Sequence, residues 1–262
     1  MDWSHFIYFA LTAMLFWASG TFAAYRNRQS AAITACVIGL AVFGFYIAQI
    51  WTALGRPPLR TMGETRMWYS MFIALIGTAA YCRWRYSWIL TFSTVMAGVF
   101  IGINIANQEL FDTRLTPALQ SLWFVPHVVV YIFAYAMIGM GVIAGIYSLW
   151  TADRRHSPGM DICDNLTGIG TAFMTLGMIF GALWAKDAWG HCWTWDPKET
   201  WAAATWLTCL TAIHLRHGHP GKRRTRVVVL AIAFVILQMC WWGINYLPAA
   251  QKSSLHLYGM AG

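Results

Sequence analysis

Apolar residues fall along this chain in eight runs, most of them close to the ~20 helical residues needed to cross the hydrocarbon core of a bilayer. The runs are His5–Tyr25, Ala31–Leu54, Met67–Cys82, Trp88–Ala106, Trp123–Trp150, Thr167–Ala185, Thr200–Leu215 and Val227–Leu247. The third and seventh are the shortest and have the least defined ends. Glycine and alanine recur through all of them, as expected where helices pack closely in lipid. The pattern predicts an all-α, polytopic membrane helical bundle of about eight transmembrane helices. It reads as a single integral membrane domain over residues 1–262, with no separate soluble domain. No small-residue cleavage site follows the first run, so Phe6–Tyr25 reads as a retained helix and not a signal peptide.

Composition agrees. Of 262 residues, 58% are hydrophobic and only 11% charged, whereas soluble domains carry about 25% charge. The net charge of +8 does not point to nucleic acid, because the basic residues sit in loops and no glycine-rich phosphate loop is present. One set of loops holds Arg26, Arg28, Arg83, Arg85, Arg154, Arg155 and the run from Arg216 to Arg226, eleven basic residues in all. The opposite set holds seven: Arg56, Arg60, Arg66, Arg114, Lys186, Lys198 and Lys252. Basic loops face the cytoplasm, so both termini are expected on the extracytoplasmic side. Arg56, Arg60 and Arg66 run against that trend and call for a separate role. Of six cysteines, Cys192 alone falls in an outward loop. Cys36, Cys209 and Cys240 fall in helices, Cys82 at a helix end and Cys163 in a cytoplasmic loop. No CxxC occurs and no loop disulfide is expected.

The densest chemistry lies in WAKDAWGHCWTWDPKETW, Trp184–Trp201, which holds five of the sixteen tryptophans. Indole pairs a broad π face with one N–H donor, which suits an apolar–aqueous boundary or the face of a large flat ligand. Asp196 followed by Pro197 reads as an N-cap and first helical residue, and Glu199 has capping-box spacing. The seventh helix therefore begins just after the cluster. Glu199 reads as a cap.

Among eight histidines, His5, His156, His217 and His219 read as solvated, and His191 lies within the cluster. His127 stands at the outer start of the fifth run and His256 in the outward tail. His214 lies seventeen residues beyond Pro197, about 26 Å deeper at the helical rise, and an ionisable group in a membrane span is a functional candidate. Two imidazoles above and below a porphyrin saturate its iron, and zinc would need closer spacing and further ligands. Haem is thus one reading of these residues, and interfacial histidines with an aromatic belt are the other.

WGHCWTWDPKETW resembles the tryptophan-rich signature of the haem-handling protein superfamily, the WWD motif. The ending PKETW resembles the CcsA (ResC) branch of System II cytochrome c biogenesis and not the CcmC or CcmF branches. GRPPLRTMGE, PALQSLWFVPHV and SLHLYG resemble further segments of that family, in the same order along most of the chain.

The resemblance implies that His127 and His256 are axial ligands of an externally presented haem b. Trp189, Gly190, Trp193, Trp195 and Asp196 would form the platform beneath it, with His214 a membrane ligand for haem on its way outward. Arg56, Arg60 and Arg66 are candidates to pair the propionates. The implied activity is haem transport and cytochrome c synthesis, in which CxxCH thiols of apocytochrome c add to haem vinyl groups. The implied partner is a CcsB (ResB)-like subunit, with this chain as the unfused member. The alternatives are a haem exporter or chaperone without ligation activity, a dihaem membrane subunit of a quinone oxidoreductase, and a bundle without a cofactor. The implied location is a bacterial plasma membrane or a thylakoid-type membrane.

Overall fold

The structure, a computed structural model, describes residues 3–107, 121–151, 158–241 and 243. Each of the eight apolar runs contributes one helix: α1 (Phe6–Tyr25), α2 (Gln29–Leu54), α3 (Met62–Trp84), α4 (Ser87–Ala106), α5 (Phe124–Trp150), α6 (Pro158–Trp189), α7 (Pro197–Gly218) and α8 (Arg223–Trp241). No strand occurs among the described residues. Six helices, all but α3 and α7, are long and apolar enough to cross a membrane. The other two have the length but are diluted by Glu64, Arg66 and Arg83 in α3 and by Lys198, Glu199 and Arg216 in α7. The protein is a polytopic, all-α membrane bundle.

The chain divides into two compact units, Met1–Leu115 and Thr116–Gly262. In the first, α1 packs on α2 and α4, and α3 packs on the same two helices. Helices α3 and α4 run antiparallel: Asn104 Nδ2 donates to Gly63 O (2.9 Å), and Ser70 Oγ donates to Ala97 O (3.4 Å). Trp17, Phe43 and Tyr46 fill the space between α1 and α2 and are fully buried.

In the second unit α5 and α6 form an antiparallel pair, α7 packs on α6 and α8, and α8 returns to α5. The hydroxyl of Thr175 on α6 accepts from Trp206 Nε1 on α7 at 2.9 Å. At the end remote from the tryptophan stretch, Asp164 on α6 meets Arg216 Nε of α7 (3.3 Å) and Arg226 Nη1 of α8 (3.5 Å).

Two helices, α3 and α6, begin five or more residues before their apolar runs. The cause is polar residues that a hydropathy pattern discounts but the fold satisfies. Helix α3 starts at Met62 because Thr61 and Glu64 form a reciprocal capping box. This moves Arg66 out of the loop where it was expected and into a helix, only 4% exposed. Helix α6 starts at Pro158, since Asp164, which lowers apolarity there, is paired with two arginines. Cys163, expected in a loop, is consequently buried in α6.

Candidate functional site

His127 lies in the first turn of α5, where its N–H donates to Trp123 O at 3.2 Å. Its Nδ1 stands 2.9 Å from Gly177 O on α6. A carbonyl only accepts, so Nδ1 carries the proton and the lone pair is assigned to Nε2. The ring fits against α6 because Gly181 has no side chain: a Cβ there would stand 2.7 Å from His127 Cε1 and 2.8 Å from Nδ1. Gly177 and Gly181 make a GxxxG step, the small-residue spacing that lets helices approach in a membrane. Tyr131 meets the imidazole edge-on at 4.8 Å, and Trp184 lies at 5.3 Å with its plane tilted by 31°. Trp184, 4% exposed, in turn touches Phe124 (5.2 Å) and Trp189 (4.9 Å). One aromatic row thus runs from His127 to the end of α6.

The tryptophan stretch is not one loop. Its first six residues complete α6. Gly190 then stops the helix with φ +83° while its N–H donates to Lys186 O at 2.9 Å, the usual left-handed glycine ending. His191 and Cys192 are exposed. Trp193 and Trp195 pack at 5.6 Å with their planes at 89°, so they make a corner and not a flat shelf. Trp195 is 69% exposed and its backbone is left-handed, φ +58°, a conformation that costs a bulky L-residue roughly 1–2 kcal/mol.

Hydrogen bonds hold it there. Buried Asp196 caps α7, its side chain accepting from Lys198 N at 2.8 Å. Glu199 does more than cap: its Oε2 accepts from Asp196 N (3.1 Å), Thr194 N (2.8 Å) and Thr194 Oγ1 (3.4 Å). Thr200 Oγ1 donates to Trp195 O at 3.2 Å. Lys198, in the first turn of α7 ahead of the apolar stretch, has its ammonium pKa lowered by burial to about 8, against smaller opposing effects of Cys240 and Asp196. Cys240 Sγ at the end of α8 donates to Lys198 O (3.4 Å), which ties the two helix ends together.

His214 lies on an exposed face near the far end of α7, about 26 Å from the cap at the helical rise. It is therefore not brought together with the tryptophans. His256 lies outside the described residues. In the first unit, the three arginines separate in role. Arg56 grips Glu64 through both terminal nitrogens, Nη1 to Oε2 at 3.1 Å and Nη2 to Oε1 at 2.9 Å. Arg60 N donates to the same carboxylate at 2.6 Å, while its half-buried guanidinium has its pKa lowered by burial and by Arg56, with Glu64 acting in the opposite sense. Arg66 is buried within α3.

The family model described as cytochrome c assembly protein matches residues 59–250, most of the chain. The chain belongs to the cytochrome c assembly protein family. Within it the match is to CcsA: proteins named cytochrome c biogenesis protein CcsA are similar along most of their length. That of Cuscuta exaltata is 29% identical over 86% of this chain and 82% of its own. That of Chlamydomonas reinhardtii is 29% identical over 89% and 70%. That of Chlorella vulgaris is 28% identical over 98% and 94%.

Several residues that build these two separate regions were not singled out by the sequence pattern. Trp184 falls in the sixth apolar run and in the tryptophan stretch, but its contact with His127 needs two helices in register. Gly177 and Gly181 carried a signal in their GxxxG spacing, as did Thr61 and Glu64 in their T-x-x-E spacing. Lys198 carried none.

Proposed function

We propose that this cytochrome c assembly protein receives haem, transports it and presents it on the extracytoplasmic side for covalent attachment to apocytochrome c. His127, through Nε2, and His256 are the axial ligands of the presented haem b. Trp189, Gly190, Trp193, Trp195 and Asp196 form its seat. His214 holds haem earlier on its path, and of the three arginines Arg60 is the one assigned to a propionate, because Arg56 is engaged by Glu64 and Arg66 is buried in α3. A ResB-like subunit completes the assembly, and the tryptophan stretch faces away from the cytoplasm.

The observation that carries this reading is the bond from His127 Nδ1 to Gly177 O. Metal-binding histidines characteristically donate their second ring nitrogen to such a group, which orients the ring and raises the basicity of the ligating nitrogen. The perpendicular Trp193–Trp195 pair fits a rigid planar guest, stacking flat on one ring and abutting the other at its edge.

The chain's contribution is positioning. A seat that orients a vinyl group toward an incoming CxxCH segment turns an encounter between two molecules into one within a complex. When a cysteine thiol adds across the vinyl group, S–C and C–H bonds replace S–H and the C–C π bond, without net oxidation. No side chain need act as a dedicated base.

The test is a complex of the full chain with its ResB-like partner, purified with haem from cells lacking their own maturation system. His127→Ala should lower haem occupancy by about tenfold or more, the scale on which a disturbed iron site loses affinity, and added imidazole should restore part of it. His256→Ala should do the same. Co-expressed CxxCH apocytochrome should retain haem after denaturation. A Soret band that is unchanged in His127→Ala overturns the ligand assignment. Bound haem without thioether product leaves an exporter.

A further inference from the structure

Trp195 is misplaced by every ordinary criterion. The residue is 69% exposed, so burial does not hold it. Its φ of +58° belongs to glycine or asparagine, and a turn that served only to start α7 would place one of those there. Yet the backbone on both sides is fastened. Glu199 Oε2 accepts from the N–H of Thr194 before it and of Asp196 after it, at 2.8 and 3.1 Å. The carbonyl of Trp195 itself accepts from Thr200 Oγ1 at 3.2 Å. Relaxing Trp195 to a right-handed or extended backbone would turn at least one of these groups away from its partner.

We propose that Glu199 and Thr200 are positioning residues that clamp Trp195 in its left-handed conformation, so that its indole stands perpendicular to Trp193 and offers the edge of a corner to a planar macrocycle. The two residues sit in the first turn of α7 and are fixed by the helix, so the corner is rigid before any guest arrives. The first N-cap bond, from Lys198 N to Asp196, would form without either contact to the Trp195 segment. Glu199 serves both the capping box and the clamp, whereas the bond from Thr200 to Trp195 O lies outside the box and separates the clamp from helix initiation. The indole's use by haem rests on the reading given above, whereas the clamp rests on the hydrogen bonds alone.

The test uses the full chain in lipid nanodiscs, labelled with 5-fluorotryptophan, with the Trp195 fluorine resonance assigned from Trp195→Phe. Gallium(III) protoporphyrin IX, diamagnetic and of the same shape as haem, is the probe. In the wild type the Trp195 resonance should be single and should shift on adding the probe. Glu199→Met and Thr200→Val should split or move it beforehand and at least halve the probe-induced shift. Glu199→Gln and Thr200→Ser, which keep an acceptor and a hydroxyl, should restore it. If Glu199→Met fails to fold, Thr200→Val, nearly isosteric at an exposed position, decides. An unchanged resonance and shift in Thr200→Val and in any folded Glu199→Met overturns the clamp and leaves the haem reading standing. A wild-type resonance that ignores the probe, while the variants still move it, overturns the haem role of Trp195 and leaves the clamp standing.

Discussion

The two units start a helix with the same device and use it for opposite ends. In the first unit Thr61 and Glu64 form a capping box at α3, and in the second Asp196 and Glu199 form one at α7. Both glutamates are buried. Glu64 is closed by a cation: Arg56 grips both oxygens, and the N–H groups of Arg60 and Thr61 add to one of them. The result is a knot that locks the Gly55–Thr61 loop to its helix. Glu199 accepts from the Thr194 and Asp196 N–H groups and the Thr194 hydroxyl. Its acceptor capacity therefore goes into shaping the segment that displays Trp195. Identical local chemistry yields a fastened loop in one place and a presented ring in the other, because one neighbourhood supplies a guanidinium and the other supplies backbone donors.

The strongest way to break the comparison is Arg56→Met. It leaves the Glu64 carboxylate, 0% exposed, without its bidentate partner, and losing one member of a buried pair costs about 3–5 kcal/mol. The thermal midpoint of the full chain in detergent should fall accordingly, and adding Glu64→Gln should recover at least half of the loss. A smaller effect is expected from Glu199→Ala, about 1–2 kcal/mol for losing a cap contact, with no charge stranded. Its midpoint should drop less than that of Arg56→Met; a larger drop would mean that Glu199 is structural in the same sense as Glu64. The smallest effects separate the two caps. Thr61→Ala and Asp196→Ala should each cost about 1 kcal/mol in the same melting experiment, but only Asp196→Ala should also change the porphyrin response of the Trp195 fluorine signal.

Much of the bundle was legible in the chain. The eight apolar runs each found a helix, and Asp196, Pro197 and Glu199 marked the start of α7 to the residue, since a cap needs only local spacing. The early starts of α3 and α6 were not legible by hydropathy. Glu64 and Asp164 look unsuited to an apolar helix until arginines from elsewhere in the chain neutralise them. The indole cluster was legible as composition, and its division into an α6 end, a glycine stop and a perpendicular corner was not.

Apolar run length and capping spacing, both properties of neighbours along the chain, determined by themselves that this protein is a helical membrane bundle and where α7 begins. The tertiary structure alone decided the tautomer of His127, through a carbonyl fifty residues away on another helix. It also decided the bond from Trp206 Nε1 on α7 to the Thr175 hydroxyl on α6. Both depend on which acceptor or donor a fold brings within about 3 Å, and a linear pattern carries no such distance.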